Sequence, residues 1–76
     1  MSKKIQLELQ NIFKTKVRLY LDYWDSLDKY VYKYKFKINN IYISVHLDCD
    51  EMNTAPFNII MQGLLIQVHE QIMKFY

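Results

Sequence analysis

Two strictly alternating runs of apolar and polar residues, KYVYKYKFKI and IYISVHLDCD, lie on either side of Asn39-Asn40. A period of two marks a half-buried strand, and an Asn pair tolerates the positive φ of a type I′ turn, so this stretch reads as a β-hairpin. A two-residue turn pairs Ile38 with Ile41, Phe36 with Ile43, Tyr34 with Val45, Tyr32 with Leu47 and Tyr30 with Cys49, which puts both apolar sets on one face. Upstream, KVRLYLDYW alternates too, with Val17, Leu19, Leu21 and Tyr23 on one side and Lys16, Arg18, Tyr20, Asp22 and Trp24 on the other. If Asp25-Ser26-Leu27-Asp28 is the connection, Tyr23 faces Tyr30, Leu21 faces Tyr32, Leu19 faces Tyr34 and Val17 faces Phe36. A three-stranded antiparallel meander is the expectation.

Beyond the meander the period lengthens. Phe57, Ile60, Met61, Leu64, Leu65, Val68, Ile72 and Phe75 recur at helical spacing, Thr54 suits an N-cap and Pro56 suits a first turn. The pattern predicts a helix from about Ala55 to about Phe75, with Gly63 allowing a close approach. The first dozen residues fit two templates. Ile5, Leu7 and Leu9 alternate as in a strand, whereas Ile5, Leu9, Ile12 and Phe13 share one helical face after Ser2 as N-cap, with Lys3, Gln6, Gln10 and Lys14 outward. The alternation breaks at Gln10-Asn11-Ile12-Phe13, which favours the helix. The expected fold is α+β in the order α-β-β-β-α, both helices on one face of the meander, with β-β-β-β-α as the alternative.

Seventy-six residues make one small domain, 1–76. A domain near this size buries only roughly 60% of its unfolded surface, so its stability is expected to be modest. Twelve Phe, Tyr and Trp residues against one Gly and one Pro exclude disorder. A lone Cys49 cannot form an internal disulfide, and Gln6, Glu8 and Gln10 interrupt any apolar leader, so a reducing cytosol is the expected compartment. The longest stretch without formal charge, 52–69, contains Asn, Thr, Pro, Gln and Gly, too polar for a membrane span. Lys, Ile, Asn, Tyr and Phe dominate over one Arg and one Ala, a usage that suits an AT-rich genome such as that of a phage or mobile element.

A net charge of +2 is no strong basic signature, so charge placement matters more than its sum. The expected register sets Lys16 opposite Lys37, Arg18 opposite Lys35 and Tyr20 opposite Lys33 on the polar face, with Tyr42 beside Lys37. Like charges in direct opposition are unfavourable, so this cluster reads either as a solvated face or as a site for an acidic partner. Lys16, Arg18, Tyr20, Trp24, Lys33, Lys35, Lys37 and Tyr42 are the candidate partner-binding residues. At the other end Asp22, Asp25, Asp28, Asp48, Asp50 and Glu51 gather, softened by a Lys29–Asp50 pairing. That acidic end disfavours a nucleic-acid strand running the length of the sheet.

A second feature lies on the C-terminal helix, where Ile59, Ile66 and Met73 form a narrow seam interleaved with Gln62, His69 and Tyr76. Such a seam is covered either by the N-terminal helix or by another chain, which makes these residues the candidate homodimer interface. His46, Asp48 and Asp50 share one strand face, yet successive positions there are roughly 6.5–7 Å apart, and Lys33 and Lys29 offer them partners, so no metal is expected. Cys49 reads as a small buried hydrophobe. One glycine and one cysteine rule out a phosphate loop or a paired-cysteine zinc site, and so short a chain offers little room for an enclosed site; neither catalysis nor a cofactor is expected.

The element order is similar to that of the double-stranded-RNA-binding fold, but that family's basic second-helix start is absent here, where the helix opens NTAPFNIIMQG. The likeness is one of order alone and carries no function. The leading expectation is a non-catalytic interaction protein, a regulator or inhibitor that engages a partner protein. Nucleic-acid binding through the same cations and a structural homodimer are the alternatives.

Overall fold

The computed structural model describes residues 1–75. Its elements are α1 (Ser2–Phe13), β1 (Arg18–Trp24), β2 (Lys29–Ile38), β3 (Ile41–Asp48), a short α2 (Cys49–Thr54) and α3 (Phe57–Met73). The strands form one antiparallel sheet in the order β1-β2-β3. The fold is therefore α+β in the order α-β-β-β-α, and the ambiguous first segment is a helix.

The central register follows from the apolar alternation. Ile38 faces Ile41, Phe36 faces Ile43, Tyr34 faces Val45 and Tyr32 faces Leu47, while Leu19, Leu21 and Tyr23 face Tyr34, Tyr32 and Tyr30. Asn39 and Asn40 both adopt positive φ, 47° and 69°, as a type I′ turn requires. Residues 25–28 are the connection between β1 and β2, ending on Asp28 at φ 51°.

The ladder differs from expectation at both ends. Between β1 and β2 it begins at Arg18–Lys35, so neither Val17–Phe36 nor Lys16–Lys37 is a pair. Just before β1 the outward edge of the chain is held by α1. The Val17 N–H donates to Gln10 Oε1 at 3.2 Å and the Val17 carbonyl accepts from Gln6 Nε2 at 2.8 Å, so two glutamines expected in solvent bind backbone instead. At the opposite end β3 stops at Asp48, whose carboxylate accepts the Asp50 N–H at 2.7 Å and caps α2. Cys49 consequently opens a helix, half-buried, rather than facing Tyr30, and Met52 fills the core there.

The C-terminal helix also starts later than expected. Proline disfavours helical geometry in the residue before it, and Ala55 is extended, with φ −89° and ψ 146°. That break separates α2 from α3. Thr54 is no N-cap; its hydroxyl donates to the Asp50 carbonyl at 2.8 Å, and Pro56 takes the cap position. Similarly Met1, not Ser2, precedes the first turn of α1.

One apolar cluster joins the elements: Ile5 and Leu9 from α1, Tyr34, Phe36, Ile43, Val45 and Leu47 from the sheet, and Ile60, Met61, Leu64 and Val68 from α3. Burying each such aliphatic side chain stabilises the fold by about 1.5–3 kcal/mol. Tyr34 is fully buried, and its hydroxyl donates to the Ser2 carbonyl at 3.0 Å, so burial raises its pKa well above the ordinary value. Phe13 stacks on Phe36 at 5.2 Å. Of the expected stripe on the last helix, Phe75 lies beyond α3 and is exposed, and a Cβ at Gly63 would meet nothing, so no close approach explains that glycine.

Helix α3 is bound to the sheet by more than apolar contact. Gln71 accepts the Ser44 N–H at 2.9 Å and donates to the Ser44 carbonyl at 2.6 Å; Gln67 does the same for His46, at 3.0 and 2.9 Å. The two amides, four residues apart on one helix face, bond the outer edge of β3 as a further strand would.

Candidate functional site

Because side chains alternate along each strand, Arg18, Tyr20, Asp22 and Trp24 share the face opposite the helices with Lys29, Val31, Lys33, Lys35 and Lys37 and with Tyr42, Ser44, His46 and Asp48. The end of this face nearest the Asn39-Asn40 turn forms an open hollow of about 730 Å³. Lys16, Arg18, Tyr20, Lys35, Lys37 and Tyr42 surround it, so six of the candidate partner-binding residues are brought together. Lys16 reaches it from the loop before β1 rather than from a strand. Thr15 and Ser44 add hydroxyls, while Phe36 and Ile43, whose side chains belong to the core, meet its floor. Ser44 was legible from the alternation as a member of this face; nothing in the sequence singles out Thr15.

The hollow carries four cationic side chains and no carboxylate, histidine or cysteine. Arg18 and Lys35 stand directly opposite each other. Two aromatic rings ease the crowding: Lys35 Nζ lies 5.6 Å from the Tyr20 ring centre and Lys37 Nζ 5.0 Å from that of Tyr42. Exposed cation–π contacts of this kind contribute roughly 0.5–1 kcal/mol each. Tyr42 is 78% exposed, a large ring held in solvent. Every polar side chain around the hollow can donate a hydrogen bond, which suits an extended anion.

Two candidates are absent from the hollow. Lys33 is tied to Asp22 at 3.6 Å, its side chain only 23% exposed. Trp24 meets the His46 ring edge-on at 5.0 Å. Since Trp24 belongs to β1 and His46 to β3, the pair roofs the intervening β2, where Val31 is buried outside the main core. The sheet's second face thus has a small apolar cluster of its own. Burial lowers the His46 pKa below its ordinary value, and Lys33 lowers it further, against a smaller opposing effect of Asp22.

The acidic end is organised around Lys29, which meets Asp48 at 3.3 Å and Asp50 at 3.1 Å. The Asp50 N–H, and then Lys29, hold the Asp48 carboxyl below its usual range, while Asp50 and then Asp48 raise the Lys29 pKa. Asp50 stands on α2, not on the strand face expected for it, so His46, Asp48 and Asp50 do not converge; among the described residues no three potential ligands cluster around a metal position. Burial raises the Cys49 thiol pKa, aided by Asp48 and Asp50.

Along α3, Ile59, Ile66 and Met73 are exposed, so α1 does not cover the seam. The Tyr76 expected beside it lies outside the described residues. Among the described residues no helix is long and apolar enough to cross a membrane. The chain matches no protein-family model, no curated protein and no solved structure, so the residues themselves carry the functional reading.

Proposed function

We propose that this protein is a non-catalytic interaction module, a cytosolic regulator or inhibitor that holds an acidic segment of a partner protein in the hollow lined by Lys16, Arg18, Tyr20, Lys35, Lys37 and Tyr42. One observation carries the reading: four cations and two tyrosine rings share one open hollow that contains no carboxylate. Tyr and Arg are enriched among the residues that dominate binding energy, because each offers a large rigid contact together with directional donors. The acidic groups on the same face limit the footprint. An extended phosphate backbone following the strands would leave the hollow and meet Asp22 and Asp48, whereas a short acidic peptide segment ends before them.

Retention of a partner from host lysate by the tagged chain, with and without nuclease and at low and high salt, tests this reading. The expected result is a defined protein that survives nuclease treatment and is lost with Lys35→Glu, a substitution on an exposed strand position away from the core. Phosphate-led binding weakens steeply with salt because counterions are released. Recovery of nucleic acid, with bound proteins lost on digestion, would replace the protein partner with a nucleic-acid one; retention unchanged by Lys35→Glu would remove the hollow from the argument.

A further inference from the structure

The sheet's two edges are treated differently. At β3 the outward groups of Ser44 and His46 are taken by Gln71 and Gln67. In an antiparallel ladder, residues that turn their N–H and C=O outward alternate with residues that bond the neighbouring strand. Ser44 and His46 turn outward, so their partners Lys35 and Lys33 must bond β1 through Arg18 and Tyr20. It follows that Leu19, Leu21 and Tyr23 turn their backbone groups away from the sheet, in phase with Val17. Val17 is closed by Gln6 and Gln10, and the Tyr23 N–H is met by its neighbour's Asp22 Oδ1 at 3.0 Å. Nothing among the described residues outside the strands reaches Leu19 or Leu21. This open length has neither proline, lysine nor a covering helix, and Asp22 is its one charged side chain. Its side chains on the helix-bearing face are poorly covered, with Leu21 57% exposed and Tyr23 and Tyr30 exposed beside it.

We propose that β1 pairs antiparallel with β1 of a second copy of this chain, about a two-fold axis at Leu21, making one continuous sheet across the dimer. The open length fixes the register. It runs from Leu19 to Tyr23, bounded by the glutamine-bound Val17 and by the connection at 25–28, and its centre is Leu21. Antiparallel pairing there sets Leu21 against Leu21 of the second copy and Leu19 against its Tyr23, and the Tyr23 N–H exchanges Asp22 for a carbonyl across the axis.

Charge selects the orientation. On the other face Arg18 comes opposite Trp24 of the second copy, and Tyr20 opposite its Asp22, which leaves Arg18 diagonal to that carboxylate and within its reach. In-register parallel pairing would instead set Arg18 beside Arg18 and Asp22 beside Asp22. Each sheet is basic near its Asn39-Asn40 turn and acidic near Asp22, Asp48 and Asp50, so the antiparallel arrangement lays the basic end of one copy beside the acidic end of the other. The strand is thus self-complementary in backbone, apolar contact and charge.

Sedimentation equilibrium of the full chain at about 100 µM tests the proposal, since dimerisation follows protomer concentration. The expected mass is twice the chain's 9.3 kDa. Leu21→Lys, which puts like charges on the axis at an exposed position, should weaken association at least about ten-fold, while Ile66→Asp in the α3 seam should leave it unchanged. Hydrogen exchange of the unaltered chain supplies a reading that does not depend on any variant's folding: the Leu19 and Leu21 amides should slow as concentration rises. A single-chain mass at that concentration, a dimer that survives Leu21→Lys, a dimer lost through Ile66→Asp, or exchange at Leu19 and Leu21 that ignores concentration would each overturn it.

Discussion

His46 shows how much a single residue's surroundings decide. Its ring is half-buried against Trp24 and lies near Lys33, and both burial and that lysine favour the neutral imidazole. In the unfolded chain the ring titrates near its ordinary 6.5. Between that value and the lower folded one the unfolded state binds more protons, so this contribution to stability is complete above pH 6.5 and is lost as pH falls through the folded value. Urea unfolding should therefore show a lower midpoint at about pH 5 than at about pH 7.5, and His46→Gln should remove much of the difference. Tyr34 makes a different demand, because its ring fills the core and its hydroxyl reaches Ser2. Tyr34→Phe should cost about 0.5–1.5 kcal/mol, and Tyr34→Ala about 3–5 kcal/mol, in denaturant-measured stability. The sequence marks Tyr34 as core by its place in the alternation. It does not mark Gln6, Gln10, Gln67 and Gln71, because a polar position on a helix looks the same whether its amide meets water or another segment's backbone.

At the scale of elements, the hairpin and its register are legible in the sequence because period-two alternation and the Asn39-Asn40 turn specify the same pairing. Boundaries are less so, since they depend on side chains that take over backbone groups at the strand ends: Gln6 and Gln10 hold Val17 just before β1, and Asp48 caps α2 where β3 stops. The split at Ala55 was available locally, because proline restrains its predecessor, but the long apolar stripe masks it. The helices also hold two residues unsuited to their positions. Lys14 ends α1 in left-handed geometry, at φ 53°, where a side chain is strained, and the chain's single glycine sits inside α3 with open space around it. Lys14→Gly and Gly63→Ala should each raise the unfolding free energy by up to about 1 kcal/mol. Chemical denaturation of the two single variants checks both.

Across the whole molecule, charge is sorted along the strands while apolar area is sorted across the sheet. The hollow was legible in outline, because alternation and register place Arg18, Tyr20, Lys35, Lys37 and Tyr42 on one face; the diversion of Trp24 and Lys33 was not, because it depends on how side chains lean across neighbouring strands. The glutamine pair on α3 has a consequence for how such molecules add to one another. A ribbon of strands grows only when each unit offers two sticky sides, one to be received and one to receive. With Gln67 and Gln71 occupying β3, this unit has a valence of one, so addition through β1 stops at a pair. Replacing both glutamines with alanine should raise that valence to two, and thioflavin-positive fibres at concentrations where the parent chain stays clear would be the sign of it. Two amide side chains would then be what separates a finite particle from an endless one.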